Sequence, residues 1–585
     1  MPTQDNTNQT YTKRVRGQFM VEFMNENPNK PLSGPNGNTP SSVYTDMVYG
    51  RGCWVTQNSG SRQVRCNDIN VIDIINNSDE PDSSDDVFYF NGAYSELPIT
   101  IYNIDNNPAI VLEAGAEPYK NSFCLVKYTS SGIADWATRI GNLNGFLETP
   151  ILELDTNKNI YIAGRVFNPT FNSLYIYNQG TSGASDSPSI ELPQMTPPTY
   201  YLSAIVKYNP NGVAQWATRI ALTLPFLEEM AKVFSMSIDS NNNLYISGLL
   251  GLLDEIIFYN TPGFEATIPT ISGMGLFIVK YDENGLAQWA TKIMNLSQSV
   301  LTINLNNDIF IFGNTRTDTI LFFNAPGAGS SVYSYSSYNG TLLTKYNSDG
   351  IFQWATRIEY VDDTFVSPTE IWGPAYLIAS DLLGNIYVSA TSNGTSTRIY
   401  DRPGDIQTLP DLNNPGLLIQ LYIVKYNSEG VAQWVTQLVG ANTQEGYSMK
   451  IDKNNNIYIA GRFRSPLLTI YNSDGNPSGL TLTLNGTENM FLVKYDSSGI
   501  AQWATHATAT NCSATGISIG KDNNIYITGY YDSPITFFNK DGVESTIGLT
   551  DSGIFSVKYN TTGFIQFARR VSGGVLIYPG KIASI

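Results

Sequence analysis

Three features of the sequence predict an all-β chain built from serially repeated four-stranded units. The first is one phrase written over and over: "IVKYNPNGVAQWATRI" (205–220), "IVKYDENGLAQWATKI" (278–293) and "LVKYDSSGIAQWATHA" (492–507). The second is a regular anchor inside it: Trp54, Trp136, Trp216, Trp289, Trp354, Trp434 and Trp503, with Phe567 in the eighth place. The intervals are 82, 80, 73, 65, 80, 69 and 64 residues, and only Trp372 lies outside the series. Recurrence at an average of about 73 residues marks a repeat architecture, with a period long for a propeller blade. The third feature is the kind of run between anchors. These runs are short, β-branched and aromatic, and are bounded by Asn, Asp, Ser and Gly, which is the pattern of strands and turns.

Each unit resolves into four strand-like pieces, A to D. A is a short apolar run such as "SMSID" (235–239) or "SMKID" (448–452). B follows a polar turn, as in "NLYISG" (243–248) and "NIYITG" (524–529). C is the "VKY" run and D the "QWATRI" run. Between A and B stand turns such as "DTNKN" and "DSNNN", whose leading Asp can accept from backbone N–H groups two residues on. Between C and D stand "YNPNGV", "YDENGL" and their kin, where Gly supplies positive φ at little cost and so closes a hairpin. A further run after B, "LTIYN", "IIFYN" or "ITFFN", is expected to lengthen the sheet or lie on its rim. Only "LPFLEEMAKVF" (224–234) has room for a turn or two of helix.

Serial four-stranded units that bury both faces suggest a single β-propeller. Eight blades are expected, with approximate ranges 69–140, 149–220, 232–293, 299–358, 374–438, 446–507 and 514–571, and one more assembled from 10–57 with 580–585. Residues 1–9 form a tail. In the mixed blade "QFMVEFMNENPN" (18–29) stands for C, "GCWVTQ" (52–57) for D and "GKIASI" (580–585) for A, so strands from the two ends of the chain would close the ring and leave no free edge. Seven blades with an N-terminal arm is the second arrangement.

The unit D-x-x-N-N-I-Y-I-x-G followed by [IL]-V-K-Y-[ND]-x-x-G-x-x-Q-W-A-T resembles the bacterial-type SBBP β-propeller repeat. Asn-rich versions are similar to uncharacterised proteins of amoebal giant DNA viruses. The resemblance covers nearly the whole chain, weakens before residue 60, and implies a fold far more than a function, because propellers host unrelated activities.

Composition narrows the classes. Net charge is −17, which disfavours a phosphate-backbone partner. Charged residues make up only 15% and aromatic residues 12%, so Asn, Ser, Thr and Gly must cover the surface. Four Cys (Cys53, Cys66, Cys124 and Cys512) are too few for a disulfide framework, though Cys53 and Cys66 are close enough in sequence to bridge. The N-terminal "MPTQDNTNQTYTKRVRG" has no signal-peptide core, and no run approaches the roughly 18 apolar residues of a membrane helix.

Function is expected in the connections. B–C and D–A links are long and unlike one another, whereas A–B and C–D turns are short and alike. Loops on a rigid scaffold commonly carry recognition. The candidate surface comprises Trp372, Tyr333, Tyr335, Tyr338, Tyr200 and Tyr201, residue types enriched at interfaces. The turns at Asp155, Asp239 and Asp452 place oxygens at alternate positions, as a calcium loop does, but lack its Gly and distant Glu; an Asx turn is the plainer reading. The recurring C-strand lysines and D-strand arginines would be spread around the outer strands, pairing with Asp or lying beside Trp. A single His, His506, sits at an Arg place in D, which leaves no His-based triad or His-rich metal site. "Glu228-Glu229" and "Asp362-Asp363" lie in connections and nominate no catalytic pair.

The expectation is therefore a protein without enzyme activity or cofactor. It would be a structural or protein-interaction propeller of a viral particle, in the virion or host cytoplasm, without membrane insertion and with particle or surface proteins as partners. Two alternatives are a propeller that binds or cleaves carbohydrate on its variable face, and an intracellular scaffold.

Overall fold

The computed structural model describes individual strands between residues 19 and 143 and, from 147 to 571, all but a set of loop segments; residues 1–18 and 572–585 fall outside the description. Among the described residues there is no helix, and the sheets are antiparallel throughout.

One unit shows how the sequence makes a sheet. A is Val233–Ile238, B Leu244–Leu250, C Gly275–Tyr281 and D Ala287–Met294. They pair in chain order, as short turns dictate. Two more strands extend the sheet beyond D: E, Thr319–Phe323, and F, Ser330–Ser334. E and F belong to the next unit, lying between its B (Ile309–Thr315) and its C (Gly340–Tyr346). The "IYN" run thus does lengthen a sheet, but the preceding one. From the second unit on, each B–C connection crosses a seam, adds two strands to its neighbour and returns; in the first unit the corresponding strands, Ile99–Tyr102 and Pro108–Leu112, pair with each other in a sheet of their own. No six-stranded sheet is a continuous stretch of chain.

The described strands form seven such large sheets. Their A-to-D cores run over 62–143, 147–222, 233–294, 296–361, 377–440, 444–508 and 512–571. The A strands of successive sheets touch one another in that order. Apolar side chains fill each gap between sheets, as in the cluster of Tyr161, Ile205, Trp216, Ile246, Phe277 and Val279. Both faces of B and C are buried: Leu276 to Val279 are all fully covered, so strict alternation is lost.

The expected eighth sheet does not assemble among the described residues. Cys53–Gln57 pairs instead with Arg62–Ile72, beyond strand A of the first sheet, because a short hairpin closes at lower entropic cost than a distant pairing. That register sets Cys53 opposite Cys66. Tyr44–Met47 and Phe19–Glu22 take the E and F places on the last sheet, beside Ile565–Val571. The remaining pieces of the expected mixed blade, 10–18 and 580–585, lie outside the described residues.

Candidate functional site

The recurring residues build seams between sheets. In the unit above, Tyr245, Lys280 and Trp289 stand side by side on B, C and D. The Trp289 indole N–H and the Lys280 ammonium both donate to the backbone carbonyl of Ser348, in the C–D turn of the next sheet, at 3.2 and 3.1 Å. The same pair, Lys207 and Trp216, grips Glu283 O at 2.9 and 2.8 Å. Lys127 with Trp136, Lys425 with Trp434 and Lys494 with Trp503 grip Pro210, Ser497 and Thr561 likewise. At one seam Lys345 reaches Ser428 O at 3.4 Å while the Trp354 N–H has no partner. Tyr245 meets the indole edge-on, with centroids 6.0 Å apart, and lies under the lysine at 5.2 Å. Burial lowers the Lys280 pKa, and Asp239 and Asp349 oppose the fall.

Glycine completes the grip. Gly350 has φ +73°, and a Cβ there would meet the Trp289 ring at 2.9 Å. The turn therefore requires Gly twice, for its backbone and for the indole lying on it.

The A–B turns close on themselves. Asp239 Oδ1 accepts from Asn241 N–H and Asn243 N–H, each at 2.9 Å; Oδ2 accepts from Asn243 Nδ2 and the Tyr245 hydroxyl. Asp155 and Asp452 repeat this pattern, so both oxygens of each carboxylate are already engaged, as an Asx turn requires. One turn exchanges its residues and keeps its charge. Asn304 takes the Asp place, Asp308 the Asn place four on, and Phe310 the Tyr place; Asp308 then pairs with Lys345 at 2.8 Å.

The "IYN" strand joins units from the other side. The hydroxyl of Thr218 in D donates to Tyr259 O, and Arg219 lies over the Tyr259 ring at 5.4 Å. Asn260 Oδ1 accepts from Ala287 N–H at 2.8 Å, capping the C–D hairpin of its own unit. His506 fills the Arg place by stacking on Phe538, centroids 4.4 Å apart and planes 11° apart. Burial lowers its pKa to about 4, so it sits there as a neutral ring. The basic residues are thus distributed among seams rather than gathered in a ring.

Of the residues expected on the interaction surface, Tyr201 opens strand C (Tyr201–Tyr208) opposite Phe167, and Tyr333 lies in strand F opposite Ile320. Trp372, Tyr335, Tyr338 and Tyr200 lie outside the described residues, as do Glu228, Glu229, Asp362 and Asp363.

At the connection end the structure gathers a group that no repeat signal announced. Arg462 pairs with Glu445 (2.6 Å) and Glu488 (3.0 Å), and Arg464 with Glu488 (2.8 Å). The Tyr447 hydroxyl donates to Glu445, and Tyr530, from the next sheet, donates to Glu488 at 2.8 Å. Two carboxylates balance two guanidinium groups, and burial holds both tyrosines well above their ordinary pKa. The group is built as an ionic joint between the last two sheets. Its members lie far apart in sequence and vary from unit to unit, so periodicity could not reveal them.

Comparison with known proteins agrees with the repeat. Residues 433–462 match the SBBP beta-propeller repeat family. An uncharacterised WD repeat-containing protein of Acanthamoeba polyphaga mimivirus is 26% identical over 515 residues, covering 79% of this chain and 36% of the relative. The chain therefore spans about a third of the length of that curated relative. Among solved structures, a protein of unknown function from Dyadobacter fermentans aligns with a TM-score of 0.28 at 9% identity, over 71% of this chain and 95% of that one. The intramolecular trans-sialidase of Ruminococcus gnavus aligns with a TM-score of 0.26 at 9% identity, over 81% and 93%. Both scores are too low to carry an argument.

Proposed function

We propose that this chain is a structural or protein-interaction propeller without enzyme activity or cofactor, and that it serves as a component of a viral particle, contacting other particle proteins. The observation that supports this reading is where the recurring side chains go. Tyr245, Lys280, Trp289, Asn260 and their described counterparts lie at seams between sheets, and Thr218 holds the strand that the next unit adds to its own sheet, which makes a stiff array. The viral relative supplies the setting. Nucleic acid is a poor partner for a chain of net charge −17 whose C-strand lysines are spent in seams.

The proposal includes a closed ring of seven sheets, the second of the two arrangements expected from sequence. Its support is that strands 19–22 and 44–47 take the outer places that other sheets receive from the following unit. Quantitative proteomics of purified particles, set against the soluble infected-cell fraction, tests the reading. Many copies per particle are expected; absence from particles overturns it. Averaged electron micrographs of the purified protein give the blade count.

A further inference from the structure

The A–B turns carry a departure that the fold does not ask for. In the first part of the array, neighbouring turns are tied by hydrogen bonds. Asn242 Oδ1 accepts from Thr156 N–H and its hydroxyl at 3.0 and 2.7 Å. Asn307 Oδ1 accepts from Ser240 in the same way, at 3.1 and 2.9 Å. At the next seam both partners change: Leu305 replaces the hydroxyl residue and Gly384 the acceptor. These two turns still adjoin, since a Cβ on Gly384 would lie 3.9 Å from Asn304 Nδ2. At the seam after that, Leu382 replaces the donor while the acceptor stays, and Asn455 Oδ1 is left buried without a partner. Leu383 follows directly. Leu305, Leu382 and Leu383 are 63, 59 and 75% exposed.

Large aliphatics standing in solvent where sister turns hold Ser, Thr, Asn and Lys, at the expense of a tie between sheets, mark a surface kept for contact. The surrounding charge says with what. The turns that hold these leucines carry no Lys, whereas other A–B turns have Lys158, Lys453 and Lys521. Of the C–D turns on the two sheets that hold these leucines, one exposes Asp349 and the other Glu429, which Arg402 pairs at 3.1 Å; Glu283 and Leu286 stand exposed on the sheet before. A second copy would set carboxylate against carboxylate. A segment with aliphatic side chains and flanking Lys or Arg answers both the apolar and the acidic part.

We propose that the A–B turn end formed by Leu305, Leu382 and Leu383 is a docking site for an aliphatic, basic-flanked segment of a partner protein. This rests on the interaction reading above but not on the place of the protein in a particle.

The test compares the full chain with a Leu305→Ser, Leu382→Ser, Leu383→Asn variant, which copies the sister turns. Two amphipathic peptides serve as probes, one of Leu and Lys, the other of Leu and Glu, read by fluorescence anisotropy. The Leu/Lys peptide should bind the full chain at least ~10-fold more tightly than the Leu/Glu peptide, should weaken with salt, and should lose at least ~10-fold on the triple variant. Leu467→Ser, which removes an exposed leucine on another strand, should leave binding unchanged. The triple variant should unfold no more easily than the parent, since its leucines are exposed and Asn455 regains a donor. No binding of the Leu/Lys peptide, equal binding of both peptides, or equal binding to parent and triple variant overturns the proposal. So does self-association of the parent, seen by sedimentation and lost in the triple variant, which would give the surface to a second copy. Peptide binding as expected from a protein absent from particles would keep this site and remove the particle.

Discussion

Two sets of turns share one end of the sheets and obey different rules. From 209–213 onward each C–D turn is gripped from the neighbouring sheet by a lysine, at most seams by an indole N–H as well, and its glycine rests on that indole. It repeats nearly unchanged through the array. The A–B turns close on their own Asp or Asn, and their outward residues vary from Ser and Thr to Lys to Leu. The contrast teaches where this repeat is free. A position that fills a neighbour's pocket is fixed by that pocket. A position whose turn is already satisfied internally can be rewritten unit by unit.

The contrast breaks or sharpens under substitution. Trp289→Ala should cost about 3–5 kcal/mol by denaturant unfolding, for it empties a seam and takes one of two donors from the Ser348 carbonyl. Leu305→Ser, in the A–B turn of the next sheet, should stay within about 0.5 kcal/mol. If the two costs are alike, the distinction fails. Gly350→Ala should cost about 1–3 kcal/mol, because the new Cβ meets the Trp289 ring. The matching change on the other set, Gly384→Asn, has open space and a residue type that tolerates positive φ, so it should be close to neutral by the same measurement.

His506 gives a pH test of the outer seam. Its folded pKa is lowered by burial to about 4, while the unfolded chain holds an ordinary His near 6.5. Between those values the unfolded state binds more protons, so stability contributed by this group rises with pH from about 4 to about 6.5 and is flat beyond. His506→Phe, which keeps the stack on Phe538, should remove that slope; a parent and variant that titrate in parallel would deny the buried site. The smallest effect is constructive. Leu305→Ser combined with Gly384→Asn should install the missing tie between turns and gain about 0.5–1.5 kcal/mol over the sum of the single changes.

Much of this was legible in the sequence because periodic packing writes periodic residues. The Trp series, the Gly turns and the Asp-led turns each announce themselves through repetition. That the C-strand lysines lie beside Trp follows from their places on C and D; that both reach the next sheet's turn does not. Two more things escaped. The pairing of the "IYN" strand with the preceding sheet is a choice between two equally apolar edges, and only three-dimensional register decides it. The Arg462–Glu445–Glu488 joint draws single residues from several strands, so no spacing betrays it. Residue type alone sets apart the six aromatic residues of the connections, of which Tyr201 and Tyr333 fall on described strands. The ends of the chain are the hardest part to read: degenerate copies of C and D near residues 20 and 54 satisfy the pattern, while among the described residues those strands pair in local hairpins.

The recurring Trp and Lys hold one sheet to the next. Native-state hydrogen exchange on the parent and on Trp289→Phe tests this directly, since Phe keeps an aromatic ring in the seam but loses the N–H that reaches Ser348 O together with part of the indole. The account predicts faster exchange confined to the C–D turn at 347–351 of the neighbouring sheet, with the strands of its own sheet unchanged. Exchange that stays the same in that turn, or rises instead within 275–294, would contradict it.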